Sequence, residues 1–264
     1  MSDQQTPRTR VAVVGAARGI GREVAVELAK SGARVAAIDL GEDNFELGYQ
    51  LGRIDTADFG EVSKGVLRIA ADARSETEMT RAAAEIKTAF GGLDQLVVAA
   101  GGIVGGATLL QSDPASLSLA LQFNLLSLHN SVRALVPLIY DSPLLGLRRI
   151  VAVASVAGSR PLAGIGAYVA AKHAVVGYLK TLALELAEVD ITVNWVSPGS
   201  TTTAILVRSA ELYGLEGVDD FAIHHPLGRL LAPSEVAAGV IFLLSAAASA
   251  ITGTDLYIDA GMHL

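Results

Sequence analysis

The stretch Val11-Ala-Val-Val-Gly15-Ala-Ala-Arg-Gly19-Ile-Gly21-Arg-Glu-Val-Ala-Val-Glu-Leu-Ala-Lys-Ser31 decides the fold. Val11–Val14 is a short run rich in β-branched residues. The glycine-rich turn Gly15–Gly21 follows without a break. Arg22–Ser31 then shows helical spacing, with Val24, Ala25, Leu28 and Ala29 on one face. A strand that runs through a glycine turn into a helix can bind a dinucleotide. Gly15 permits the tight turn, Gly19 lets backbone amides approach a pyrophosphate, and Gly21 lets the helix lie close on the strand. The helix start at Gly19–Ile20–Gly21 offers unpaired N–H groups and a partial positive charge to phosphate. Arg18 could also reach a phosphate, and a solvated arginine over the pyrophosphate is the preferred reading.

Outward from this unit the pattern repeats. Gly32 stops the first helix and Arg34–Ile38 reads as a second strand. Further buried strands are predicted at Val66–Ala70, Gln95–Ala99, Ile150–Ala154, Thr192–Val196 and Leu256–Ile258. Helices are predicted at Glu76–Phe90, Pro114–Tyr140, Tyr168–Ala187 and Pro233–Ser245. Strand and helix in alternation argue for one α/β domain over residues 1–264, a doubly wound parallel sheet. Two stretches break the rhythm: Gly41–Ile54, between the second strand and the helix after it, and Ser200–Leu227. Both fall at the carboxyl ends of strands, where such sheets bind ligands. They are therefore candidates to cover one, residues 41–54 over a cofactor and 200–227 over a substrate.

Bulk properties narrow the function. The chain has 264 residues, 51% of them hydrophobic, and a formal net charge of −7. No basic stripe is visible, so nucleic acid is not an expected partner. There is no cysteine, which excludes disulfides, thiolate metal sites and cysteine nucleophiles. Met1–Arg10 is polar, reads as loose and lacks the apolar core of a secretory signal. The apolar stretch Val236–Ile251 is interrupted by Gly239, Ser245 and Ser249 and is short for a membrane span, so it reads as a buried helix. A cytoplasmic protein with no membrane partner is expected. None of His129, His173, His224, His225 and His263 has metal-ligand spacing with carboxylates, so no metal is expected. His224-His225 could read a polar substrate, with solvated loop histidines the simpler reading. Trp195 reads as core.

The ends of the strands carry the candidate chemistry. Asp39 is placed to accept hydrogen bonds from the adenosine ribose hydroxyls, and no basic residue follows at Leu40 or Gly41. A 2′-phosphate about 4 Å away would cost on the order of 4 kcal/mol at an effective dielectric of about 20, which favours NAD over NADP. Asp72-Ala73 could accept from an adenine amino group or mark a helix start. Ala99-Ala100-Gly101-Gly102 leaves room for a ribose. Ser155 ends a strand. Tyr168 and Lys172, four apart, share one helix face. A nearby ammonium favours the phenolate of a tyrosine. Bringing that group from about 10 to about 7 requires roughly 4 kcal/mol, which Lys172 and the positive ring of NAD together could supply.

Glycines 15, 19 and 21, Asn124, Ser155, Tyr168-Val-Ala-Ala-Lys172 and Pro198-Gly199 together make the chain resemble the short-chain dehydrogenase/reductase family, in order and spacing over nearly its whole length. The resemblance implies a Rossmann-type fold and a tetrad of Asn124, Ser155, Tyr168 and Lys172. In it the tyrosine is the acid/base, the lysine also holds the nicotinamide ribose, the serine orients the substrate and the asparagine anchors a water. It implies that Pro198, Gly199, Thr201 and Thr203 belong to the segment holding the nicotinamide carboxamide, and that the helices 114–140 and 168–187 build a homotetramer. Val14 and Val98-Ala99 depart from the family's usual threonine and paired asparagines. The insertion 41–54, with Tyr49-Gln50-Leu51-Gly52, and the stretches Pro198–Ile205, Glu211–Leu215 and Leu227–Leu231 resemble a subgroup coupled to the redox carrier mycofactocin. There the insertion covers an NAD that does not exchange freely. A surface insertion with no role is the rival. A narrower resemblance, at Ser197–Thr201, is to dihydroxy-dihydrobenzoate dehydrogenases, and 3-oxoacyl reductases form a further alternative. A non-catalytic NAD-binding redox sensor would not need all four tetrad residues. The apolar segment Ile205, Leu206, Leu212, Tyr213, Leu215 and Phe221 suggests a hydrophobic secondary alcohol or its ketone as substrate.

Overall fold

The computed structural model describes residues 8–55, 57–141 and 146–264. Its centre is a seven-stranded sheet, entirely parallel, in the order β3-β2-β1-β4-β5-β6-β7. The strands are β1 (Arg10–Val14), β2 (Arg34–Asp39), β3 (Val66–Ala70), β4 (Gln95–Val98), β5 (Arg149–Val153), β6 (Thr192–Pro198) and β7 (Asp255–Ile258). The helices are α1 (Gly19–Lys30), α2 (Glu76–Phe90), α3 (Pro114–Leu121), α4 (Ser127–Tyr140), α5 (Gly166–Leu186), α6 (Ala204–Tyr213) and α7 (Pro233–Leu244). Strand order reverses between β1 and β4, which opens a crevice at the carboxyl edge.

Alternation along each strand sends side chains into two separate cores. Ala12, Val14, Ala36 and Ile38 pack with Met79 and Ile86 of α2, Leu128 and Leu135 of α4, and Val175 and Leu179 of α5. Val11, Val13, Val35 and Ala37 face the other way, onto Val24 and Leu28 of α1 and Val236 and Val240 of α7. Both faces are covered, so Val11–Val14 of β1 and Leu96–Val98 of β4 are apolar at every position rather than at every second one. Trp195 lies in the first core, as its position in β6 suggests.

Three expectations need correction. Residues 1–7 of the tail that reads as loose lie outside the described residues, and its last residue is anything but loose. Arg10 starts β1, is buried, and pairs with Asp94 just before β4 through its backbone N–H and its guanidinium, the closest contact being 2.7 Å. Residues 114–140 are not one regular helix. A π turn over Gln122–Leu126 separates α3 from α4 and carries Asn124, a local widening that tends to re-aim functional side chains. The stretch 41–54 is followed by a 3-10 turn, Gly60–Gly65, not by an α-helix. Among the described residues no helix is long and apolar enough to cross a membrane.

Candidate active site

A cleft of about 780 Å³ runs along the carboxyl edge of the sheet. At one end the β1–α1 turn forms its floor. Gly15 adopts φ +83° beside the Ala100 backbone, and a Cβ at Gly21 would overlap the Gly15 carbonyl oxygen. Only a bare α-carbon at position 21 allows the first turn of α1 to lie against the strand exit, with its free N–H groups facing the cleft. Gly15, Arg18, Gly19, Ile20 and Gly21 all line the cleft, as do Asp39, Leu40, Asp72, Ala73, Ala100 and Gly101. The farther end is lined by Ser155, Tyr168, Lys172, Pro198, Gly199, Thr201 and Thr203.

Asp39 closes β2, where its carboxylate accepts from the amides of Ala17 (2.8 Å) and Leu40 (2.9 Å). Burial nevertheless dominates those bonds and pushes its pKa up to about 6. Asp72 holds Arg74 through both carboxylate oxygens, and the cap of α2 is Ser75 rather than Asp72. Arg74 reaches on to Glu46 of the insertion, a link between residues 28 apart that no local pattern announces.

The insertion is built, not loose. Leu47, Leu51 and Ile54 are buried, and the first two pack with Phe123 from the π turn. Ile54 donates its N–H to Leu40. Arg18 donates to the Gln50 carbonyl at 2.6 Å with its guanidinium over the Tyr49 ring. Arg18 is thus tied under the insertion rather than left in solvent. A Cβ at Gly102 would overlap Leu47 and approach the Tyr49 hydroxyl. Leu51 and Gly52 line the cleft itself.

Ser155, Tyr168 and Lys172 meet at the inner end. Ser155 lies two residues past the end of β5, and its hydroxyl accepts from the Ala157 amide while facing the Tyr168 phenol, whose charged form it favours. Tyr168 and Lys172 stand one turn apart on α5, with the ammonium 5.7 Å from the phenol ring centre. Lys172 is 5% exposed and donates to the Val153 carbonyl at 3.2 Å. Burial acts on the two groups in opposite directions. It raises Tyr168 to about 12 and lowers Lys172 to about 8. The demand for positive charge beside the phenol is therefore larger than the sequence suggests. Asn124 lies behind Gly101 and does not line the cleft. Its amide donates to the Gly102 and Ala120 carbonyls.

The irregular stretch 200–227 contains a helix that has no clear period in sequence. α6 buries Leu206 and Ala210 against Phe221, while Ile205 and Leu212 pack toward Tyr168 and Ile103. The Tyr213 hydroxyl donates to the Ala163 carbonyl at 2.7 Å and fixes the far end of the helix. The two histidines part company. His224 is exposed and lines the cleft, whereas His225 is 3% exposed, contrary to a solvated pair.

A dinucleotide-type turn, an acid at the end of the second strand and a Ser–Tyr–Lys cluster on one edge define a nicotinamide-dependent oxidoreductase. A family model described as "Enoyl-(Acyl carrier protein) reductase" matches residues 15–263. A cyclohexanol dehydrogenase of Rhodococcus sp. (strain TK6) is 33% identical over 99% of both chains. A putative ketoacyl reductase of Streptomyces coelicolor is 33% identical over 95% of both. The crystal structure of carveol dehydrogenase from Mycobacterium avium in complex with NAD superposes with a TM-score of 0.88 at 30% identity, covering 96% of this chain and 97% of that one. The chain belongs to the short-chain dehydrogenase/reductase family.

The raised Asp39 pKa has a testable consequence for stability. The folded chain holds this proton up to about pH 6, above the ordinary carboxylate value of 3.8. Folding therefore takes up a proton between those values, and the contribution of Asp39 to stability falls as pH rises through that window and is level above it. Urea unfolding at stepped pH should show this slope in the wild type. Asp39→Asn should remove it, and an unchanged slope would show that Asp39 is not its source.

Proposed function

We propose that the chain is an NAD-dependent dehydrogenase of an apolar secondary alcohol, working also as reductase of the matching ketone, with Tyr168 as its acid/base. The observation that carries this reading is the convergence of Ser155, Tyr168 and Lys172 in the same cleft as the β1–α1 turn and Asp39. Asp39 supports NAD rather than NADP, because its ionised carboxylate would face a 2′-phosphate. When bound, the nicotinamide ring accepts or gives the hydride and, in its oxidised form, carries the positive charge that the Tyr168 phenolate needs. Lys172 adds an ammonium 5.7 Å from the centre of the same ring. In alcohol oxidation Tyr168 takes the hydroxyl proton while Ser155 holds the substrate oxygen. In ketone reduction Tyr168 returns the proton. Asn124, with its amide bonded to backbone, serves by holding Gly102 and the wall behind Lys172. Ile165, Ile205, Leu206, Tyr213 and Phe221 line the substrate end and support an apolar substrate. Tyr168→Phe should reduce turnover by a factor on the order of 10²–10⁴ while NAD still binds. Turnover within a few-fold of wild type would remove Tyr168 from the chemistry.

The insertion supports a second element of the reading, an NAD held so tightly that an external acceptor, mycofactocin by resemblance, reoxidises it. Leu51 and Gly52 border the cleft, and the Arg18–Gln50 and Glu46–Arg74 links fasten the segment on either side. Purified protein should keep NAD through prolonged dialysis and turn over with an acceptor dye but not with added NAD alone. Glu46→Ala should release NAD faster. Loss of NAD from the wild type on simple dialysis would favour a freely exchanging dehydrogenase instead.

A homotetramer is the proposed assembly. Leu121, Leu125 and Leu126 with His129 and Tyr178 form a shallow apolar hollow on the outer side of α3–α5, and Leu117 and Leu184 are exposed nearby. Apolar side chains gathered on one face of these helices support contact with a second copy of the chain. Light scattering should give four times the 27.2 kDa chain mass, and a monomer mass would contradict the assembly.

A further inference from the structure

His225 occupies a position that the chemistry above does not use. The ring is buried, and its Nε2 accepts the backbone N–H of Ser200 at 3.0 Å. Ser200 lies just past the end of β6, in the segment that borders the inner end of the cleft. The Gly199 N–H goes to Ile258 at 3.2 Å, the last link to β7, while the Thr202 N–H goes to Leu231 and the Ser200 carbonyl accepts from Leu231. Thr201 and Thr203 bond locally to the carbonyls of Gly199 and Thr201, and between the backbone anchors the bond to His225 adds a side-chain hold on the Ser200 N–H from outside the segment. A Cβ at Gly199 would stand 2.8 Å from the same Nε2, so the approach of the ring depends on glycine there.

We propose that His225 is a positioning residue that fixes the Pro198–Thr201 main chain against the nicotinamide end of the cofactor. This inference rests on the reading above that this segment takes the carboxamide. An acceptor at Nε2 places the ring proton on Nδ1 and requires a neutral imidazole, because imidazolium has no lone pair to offer. The surroundings keep it neutral. Burial lowers its pKa below the ordinary histidine value, and His224 acts in the same direction. The Asp259 carboxylate and the backbone of Phe221 and Ala222 oppose this without overcoming it. Asp259 is itself engaged by the amides of Gly261 and His263 and by His263 Nδ1. The backbone of His225 is itself fixed, its amide N–H donating to the Ala222 carbonyl at 3.1 Å and its carbonyl accepting from the Gly228 N–H at 2.7 Å, while the buried ring Nδ1 meets no hydrogen-bond partner among the described residues.

The test compares binding of NAD with binding of ADP-ribose, which has the same adenosine and pyrophosphate but no nicotinamide. Both are titrated calorimetrically into charcoal-stripped wild type, His225→Phe and His225→Gln. Phenylalanine fills the space without an acceptor. Glutamine can place its Oε1 near the Nε2 position. The phenylalanine variant should bind NAD roughly tenfold more weakly, as for a buried N–H left without its partner. ADP-ribose binding should stay within about twofold, and glutamine should restore most of the NAD affinity. Unchanged NAD binding in the phenylalanine variant, equal weakening of both nucleotides, or no rescue by glutamine would each overturn the proposal. A wild type that binds ADP-ribose no less tightly than NAD would instead overturn the assignment of the segment to nicotinamide. Should the variants not fold, ring-nitrogen NMR of the wild type decides the same point. An unprotonated Nε2 on His225 supports the proposal and a protonated one overturns it.

Discussion

The close contact of Gly21 with the Gly15 carbonyl is the constraint on which the rest of the site depends. It lets α1 begin within one tight turn of the end of β1, so the free N–H groups at its start face the crevice opened by the reversal of strand order. Seven parallel strands bring all their carboxyl ends to one edge. That edge must be filled by whatever follows each strand: Asp39 after the core of β2, small residues after β4, Ser155 after β5, and Pro198-Gly199 at the end of β6. Function follows from that shared edge, because residues distant in sequence are delivered to one cleft by the same topology.

The chemistry in the cleft is set by burial as much as by charge. Tyr168 and Lys172 are each moved toward neutrality by the same dry surroundings, one upward and one downward. The site is thereby arranged so that a further positive charge close to the phenol has a large effect, since little water is present to screen it. Under the proposed role of Tyr168 as acid/base, this would tie its protonation to the oxidation state of a bound nicotinamide, with alcohol oxidation starting from the phenolate and ketone reduction from the phenol.

Much of this was legible in the sequence, for physical reasons. Glycine turns, buried β-branched runs and the Tyr168–Lys172 spacing are local patterns, and the strand boundaries they suggest differ from the structure by at most two residues. What was not legible is what depends on distant partners. Arg10 reads as part of a polar tail because Asp94, which buries it, is 84 residues away. Arg74 and Glu46 show no pairing pattern, and the insertion's anchors, Leu47 and Leu51, look like isolated apolar residues in a polar loop. The π turn at Gln122–Leu126 leaves the apolar pattern of α3–α4 continuous. His225 beside the exposed His224 looks like half of a solvated pair, since nothing local tells which ring turns inward to Ser200.

The proposed role of Tyr168 requires that a positive nicotinamide, acting with Lys172, bring a deeply buried tyrosine into the neutral range. Ultraviolet difference titration of phenolate in the NAD-saturated protein, with Tyr168→Phe as the blank, tests it directly and needs no knowledge of the substrate. One tyrosine should ionise near neutral pH when NAD is bound, and that signal should be absent from the variant. No ionisation attributable to Tyr168 below about pH 10, the ordinary tyrosine value, would contradict it.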